Sequence, residues 1–180
     1  MSTECKTRLE VQKILKANIS TGLTKLNQTG WAIQEFANAS FVKNDKVILL
    51  NLISADRAGW QITSYGISGN SLQKSDEWIE LQSWQVHVIL KRNDNITDAS
   101  ILAEDVCQML IAWFNGYGCE YFRKYGLSNL LIDKENIFVY NDNSDLYQKR
   151  CVFTVKILVP KVINWTEDSL EALVPKILPV

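Results

Sequence analysis

The sequence is poor in the groups that most often carry chemistry. Among its 180 residues there is one histidine, His87, so little general acid–base capacity is available near pH 7. His87 lies within "WQVHVIL", in step with the alternation of a strand, and no Ser or Cys nucleophile motif accompanies it; it reads as a sheet residue. Neither G-x-x-x-x-G-K-[ST] nor G-x-G-x-x-G occurs, and "GYGCEYFRKYG" has its glycines at the wrong spacing and follows a helix rather than a strand, so a phosphate cradle is unsupported. The four cysteines, Cys5, Cys107, Cys119 and Cys151, are scattered, with no C-x-x-C pair and no histidine nearby to complete a zinc site. In a reducing compartment they read as small apolar side chains.

Charge of one sign is also lacking. The formal net charge is -1, which leaves no electrostatic footprint for high-affinity binding of a nucleic-acid duplex. Carboxylates gather at "SDEWIE", "AEDV" and "NDNSD", but the last has neither the central glycine nor the terminal glutamate of a calcium loop and reads as a solvated turn. Asp56 and Arg57 could form a polar pair at a strand bend. No catalytic residue, cofactor site or metal site is expected. No apolar run approaches the ~18 residues of a membrane span, and "MSTECKTRLE" has no signal-type apolar core, so no membrane association and a cytosolic origin are expected.

What is present is a core. Hydrophobic residues make up 47%, enough for one well-buried domain; all three prolines fall at or after Pro160, so the chain reads as continuous up to there. We expect one domain over residues 1–163 and a C-terminal extension over 164–180. Val11, Ile14, Leu15, Ile19, Leu23 and Leu26 recur at helical spacing and predict a helix over 4–27, which loosens or ends near Gly22. Residues 29–41 read as a loop or short strand. Strands are expected at 46–54 and 57–65, with a bend at Ala55–Arg57, a turn at Gly66, Gly69, Asn70 and Ser71, and a long strand from Asp76. In that strand Ile79 and Leu81 share one face, and Trp84, Val86, Val88 and Leu90 the other, which predicts a bulge or a change of sheet environment near Gln82 and Ser83. Ala99, Leu102, Ala103, Val106, Met109, Leu110 and Trp113 predict a helix capped by Thr97 or Asn95 and stopped by Gly116, followed by a short helix ending at Gly126. A late hairpin pairs 137–140 with 148–159, where Cys151, Phe153, Val155, Ile157 and Val159 point inward. Its outer face is only partly polar. The fold class is therefore α+β, a mostly antiparallel β-sheet with helices packed on it and a long late β-hairpin.

Two features exceed what a monomer needs. Trp84 and Trp113 suit a core, but Trp31, Trp60, Trp78 and Trp165 fit a core or an interface equally, because aromatics are enriched at subunit contacts. The end of the chain, "EDSLEALVPKILPV", carries an apolar stretch broken by Pro175 that cannot bury itself as a lone helix and must dock on its own core or on a neighbour, the neighbour being favoured. Trp60, Trp78, Tyr140, Leu146, Tyr147, Leu170, Leu173 and Ile177 are the candidate subunit or partner contacts.

The order of "LEVQKILKANI", "ADRAGWQITSYG", "DEWIELQSWQVHVIL", "DASILAEDVCQMLIAWF" and "IFVYNDNSDLYQKRCVFTVKIL" resembles that of the tail terminator, or neck terminator, proteins of tailed bacteriophages, over roughly residues 8–160. The resemblance implies a structural virion protein without catalytic residues, made in the host cytoplasm. It implies a hexameric ring that joins the tail tube to the head-completion (connector) proteins, with the late hairpin as an arm or lumen element. DNA would pass through the lumen without specific binding, which the slight negative charge suits. The alternatives are another phage minor tail or baseplate adaptor protein and, third, a small-molecule enzyme.

Overall fold

The computed structural model describes residues 6–35, 44–68, 71–91, 99–130, 132, 134–141 and 147–167. Helix α1 (Arg8–Lys25) begins at Arg8 rather than at the expected residue 4, because Thr7 caps it. The Thr7 hydroxyl accepts from the Glu10 N–H at 3.2 Å, and the Glu10 carboxylate accepts from the Thr7 N–H at 2.7 Å, a reciprocal capping box. Its other end closes at Asn27, whose φ of 55° lets the N–H groups of Asn27 and Gln28 reach back to the carbonyls of Thr24 and Leu23 at 3.2 and 2.8 Å. Gly22 lies inside the helix and does not end it.

Among the described residues six strands form one sheet in the order β1-β2-β3-β6-β4, with β5 also paired to β6. Strand β1 (Ala32–Glu35) runs parallel to β2 (Lys46–Ser68), whereas β2 with β3 (Ser71–Lys91), β3 with β6 (Tyr147–Glu167), β4 (Ser128–Asn129) with β6 and β5 (Lys134–Asn141) with β6 are antiparallel. The α+β class and mostly antiparallel sheet expected from sequence are those of the molecule. The two middle strands are far longer than their apolar alternation indicates, since β2 passes through Ala55–Arg57 without ending and β6 continues through Pro160. Beyond Leu158, β6 has only β3 beside it among the described residues, an edge setting in which proline is tolerated.

The irregularity foreseen near Gln82 and Ser83 lies on the partner strand instead. Pairing of β3 with β6 runs from Leu72–Glu167 to Lys91–Gln148 without a shift, while β2 carries the extra residues, between Leu52 and Ser54 and between Ala58 and Ile62. The apparent change of phase in β3 follows from the other expectation, a change of sheet environment, because β1, β4 and β5 pair no farther than Leu50, Leu158 and Phe153. Gln82, Trp84, Val86, Val88 and Leu90 all face the helices and are buried; Gln82 is simply a polar residue at a core position, whose amide accepts from Trp84 Nε1 at 3.0 Å and donates to the Glu80 carboxylate at 2.7 Å.

Helices α2 (Ala99–Asn115) and α3 (Tyr117–Arg123) join α1 on this face. The expected caps of α2, Asn95 and Thr97, lie outside the described residues. Its buried face is turned from the expected one: Ala103, Val106, Cys107, Leu110, Ile111 and Phe114 are buried, whereas Leu102 and Met109 are exposed. Because α2 is apolar around much of its circumference, periodicity does not fix its rotation; Phe114 does, by packing its ring against Phe122 and Phe153 at centroid distances of 5.8 and 6.1 Å. Gly116 breaks α2 from α3, as foreseen. Helix α3 closes at Gly126, φ 69°, where the N–H groups of Gly126 and Leu127 bond the carbonyls of Arg123 and Phe122.

Trp113 locks the three helices together. A Cβ at Gly22 or at Gly118 would lie 2.9 Å from its indole ring, so both neighbours must be glycine for the helices to close on it. Its Nε1 donates to Asn18 Oδ1 at 2.8 Å, and Asn18 Nδ2 donates to the Gly118 carbonyl at 2.9 Å. Gly22→Ala is therefore expected to lower stability by about 1–3 kcal/mol through overpacking. In urea denaturation the penalty should shrink in a Trp113→Leu background; additive losses would show that the ring contact is not its cause.

Candidate functional site

The residues considered for chemistry stay apart. His87 is buried in the middle of β3, opposite Leu49 and Val152. Cys107 and Cys151 lie in the core. Asp56 and Arg57 cannot pair as a couple, since consecutive strand residues face opposite sides of the sheet; Asp56 stands opposite Leu81 and Arg57 opposite Glu80. Arg57 instead places its guanidinium 5.3 Å from the Trp78 ring centroid and donates to Gln61 Oε1 at 2.9 Å. Among the described residues, no group of three or more His, Cys, Asp and Glu side chains could hold a metal ion, and no helix is long and apolar enough to cross a membrane.

The distinctive feature is an arm. The partners that widen the sheet stop early: β1 ends opposite Leu50, β5 opposite Phe153 and β4 opposite Leu158. Among the described residues only β2, β3 and β6 continue beyond Asp56, Leu81 and Leu158, to the level at which Ile67, Leu72 and Glu167 stand abreast. At 3.3 Å per residue this narrowed sheet extends about 30 Å past the broad one. Its root is polar and shielded. Lys161 is buried, donates to the Lys6 carbonyl and has its Nζ 3.8 Å from Glu80 Oε1; Arg8 Nε is 4.0 Å from the same oxygen. The amino-terminal end of α1 is thereby tied to the place where the arm leaves the core.

Farther out, apolar side chains are exposed on both faces. Directly paired residues share a face, which puts Tyr65, Ile67, Leu72, Ile163 and Trp165 on the helix-side face and Ile62, Ile79 and Val162 on the other. Tyr65 and Ile67 are 68% and 70% exposed, and Trp165 53%. Trp60 stands on the second bulge of β2, next to Gly59 at φ 85°, and is 94% exposed. A positive φ there favours glycine and turns the chain so that the indole stands clear of the sheet.

Of the candidate contacts named from sequence, Trp60 and Trp78 come together on this arm, with Trp78 half-buried beneath Arg57. Trp165 belongs to β6 and to the arm, not to a separate extension, and Trp31 packs against the core. Tyr140 and Tyr147 fall at the far end of the sheet, where β5 and β6 meet in the expected hairpin, with Asn141 opposite Tyr147. The described strands of that hairpin stop nearly level with β2 and β3, so among the described residues the projecting element is the middle hairpin with the second half of β6. Leu146, Leu170, Leu173 and Ile177 lie outside the described residues. Ile62, Tyr65, Ile67 and Ile163 were not singled out from sequence, although the "ITSYGIS" alternation in an uncovered strand was the available signal.

At the other end of the helical layer a groove opens between the C-terminal part of α1 and α3, lined by Leu26, Trp113, Tyr117 and Tyr121 and bordered by Lys25 and Lys124. The Tyr125 hydroxyl beside it, helped by burial, raises the Tyr121 phenol above its usual range.

The arm's strand pairing is reinforced by Asp76, which accepts from the Thr63 hydroxyl directly across the ladder at 2.6 Å and pairs with Lys74 at 3.1 Å. The Thr63 bond foremost, aided by Lys74, lowers the Asp76 carboxyl from 3.8 to about 2. A depressed folded value means that this support is complete above the unfolded value and disappears as pH falls through the folded one. A carbon-13 titration of the Asp76 carboxyl should show a midpoint near 2, and Thr63→Val should move it upward; a midpoint near 3.8 in the unmodified protein would refute the pairing. No family model matches the chain, and no curated protein matches it in sequence.

Proposed function

We propose that this chain is a structural subunit that assembles with copies of itself into a closed ring, and that the ring is a tail or neck terminator of a tailed bacteriophage, joining the tail tube to the head-completion proteins. The single observation that carries the assembly reading is the three-stranded arm with its exposed Trp60, Ile62, Tyr65, Ile67 and Trp165. Exposed apolar side chains gathered on both faces of one projecting element suit interaction sites, and a 94% exposed indole on a bulge suits an interface anchor. The terminator reading rests on the order of sequence segments from residue 8 to residue 160. A near-neutral chain, net -1, also suits a lumen through which DNA slides without being held. In this reading the protein acts by geometry, with no reaction and no cofactor, and is a component of the virion assembled in the host cytoplasm.

Size-exclusion chromatography with light scattering across a concentration series should give a multimer, six copies in the ring reading. Trp60→Ser with Ile62→Ser should raise the midpoint concentration of assembly on the order of 30-fold, the equivalent of losing one hot spot of about 2 kcal/mol, with an unchanged melt. Cryo-electron microscopy of the particle should find the ring at the head–tail junction. A strict monomer at all concentrations and in the particle overturns the assembly reading; a ring elsewhere in the tail overturns the terminator reading alone.

A further inference from the structure

The arm and the aromatic groove lie at opposite ends of helix α1. Helix α1 connects them: Arg8 approaches Glu80 at the arm's root, and Thr21, Lys25 and Leu26 line the groove. Between Arg8 and Lys25 the helix rises about 26 Å, and from Glu80 to Leu72 the arm reaches about 26 Å in the other direction. The tip therefore cannot fold into the groove of its own chain. Two complementary surfaces at opposite ends of one chain make a head-to-tail contact, the kind that closes into rings when the rotation between copies permits.

The surfaces match in chemistry. The tip offers Tyr65, Ile67 and Trp165, all more than half exposed. The groove encloses about 590 Å³, within the roughly 300–1,000 Å³ of sites that bury a drug-sized group, so it has room for an indole and a neighbouring side chain. Its walls are aromatic, with Trp113 and Tyr117 tilted at 34° and 6.1 Å between centroids, a setting in which a further ring gains offset or edge-to-face contacts. The groove's rim is of mixed charge, with Lys25, Glu120 and Lys124, so the match is one of aromatic surface and reach.

We propose that the arm tip of one copy docks in the α1–α3 groove of the next, with Trp165 as its anchor. This rests on the assembly reading above and names the two surfaces that it joins. The occupant of the groove is then a second copy of the same chain.

The test uses the full-length protein with a photo-crosslinking p-benzoylphenylalanine in place of Trp165 and, separately, of Tyr117, each irradiated in mixtures with nitrogen-15-labelled wild type. The expected result is an intermolecular product joining position 165 to peptides spanning residues 113–124, and the reciprocal product joining position 117 to peptides of the arm. Tyr117, 74% exposed, also allows a Tyr117→Ser variant that should weaken assembly at least tenfold with no change in melting. Crosslinks from both positions to other surfaces of a second copy, in a protein that still assembles, overturn the docking and leave the assembly reading standing. A monomer that yields no intermolecular product overturns both.

Discussion

The molecule depends on strand β3 being paired on both sides along nearly its whole length. From Leu72 to Lys91 the strand keeps one unbroken register with β6, while β2 absorbs the irregularities in two bulges. One strand therefore serves two environments. From Trp84 to Leu90 its alternate residues are core, and from Leu72 to Leu81 it is the midrib of an arm flanked, among the described residues, by β2 and β6 alone. Backbone pairing is what allows the second half to exist, since an isolated two-stranded ribbon is marginal in water and a third strand is what makes such an extension stable.

The transition between these environments is managed by polar side chains. Gln82 occupies a core position yet is satisfied by Trp84 and Glu80, and the buried Lys161 is held by Glu80 and the Lys6 carbonyl. Buried polar groups are tolerated when they are bonded. Arranged here, they end the apolar core without ending the strands. They also tie α1 to the root of the arm, so the helical layer and the extension are oriented by the same few contacts.

At the opposite end, Trp113 governs the helical layer through close approach rather than through bulk alone. Gly22 and Gly118 give its ring room, and Asn18 bonds both the ring and the backbone of α3. Helix-interior glycine costs roughly 1 kcal/mol against alanine; its presence in α1 is explained by the indole lying against it. The aromatic groove is a by-product of this joint, because the same ring that packs inward also forms one wall of an outward surface.

Much of this was legible in the sequence. The stripe of Val11, Leu15, Ile19 and Leu23 determined α1, the alternation of Val86, Val88 and Leu90 and of Cys151, Phe153 and Val155 determined the two central strands, and the gap between Asn141 and Tyr147 determined the late hairpin. Periodicity suffices there because each element has one apolar face and one possible burial. It failed where a segment is apolar all round, as in α2, whose rotation Phe114 and Trp113 decide, and where exposure rather than composition matters. Ile62, Tyr65, Ile67 and Trp165 alternate just as core residues do; that they stand in solvent follows from where β1, β4 and β5 stop. The length of a strand's neighbours is set by long-range pairing, and pairing between residues more than 80 positions apart, such as Leu72 with Glu167, leaves no local mark on either. The sequence by itself thus determined the elements and the absence of recognisable catalytic motifs, and only the tertiary structure decided which apolar surface became core and which became an arm.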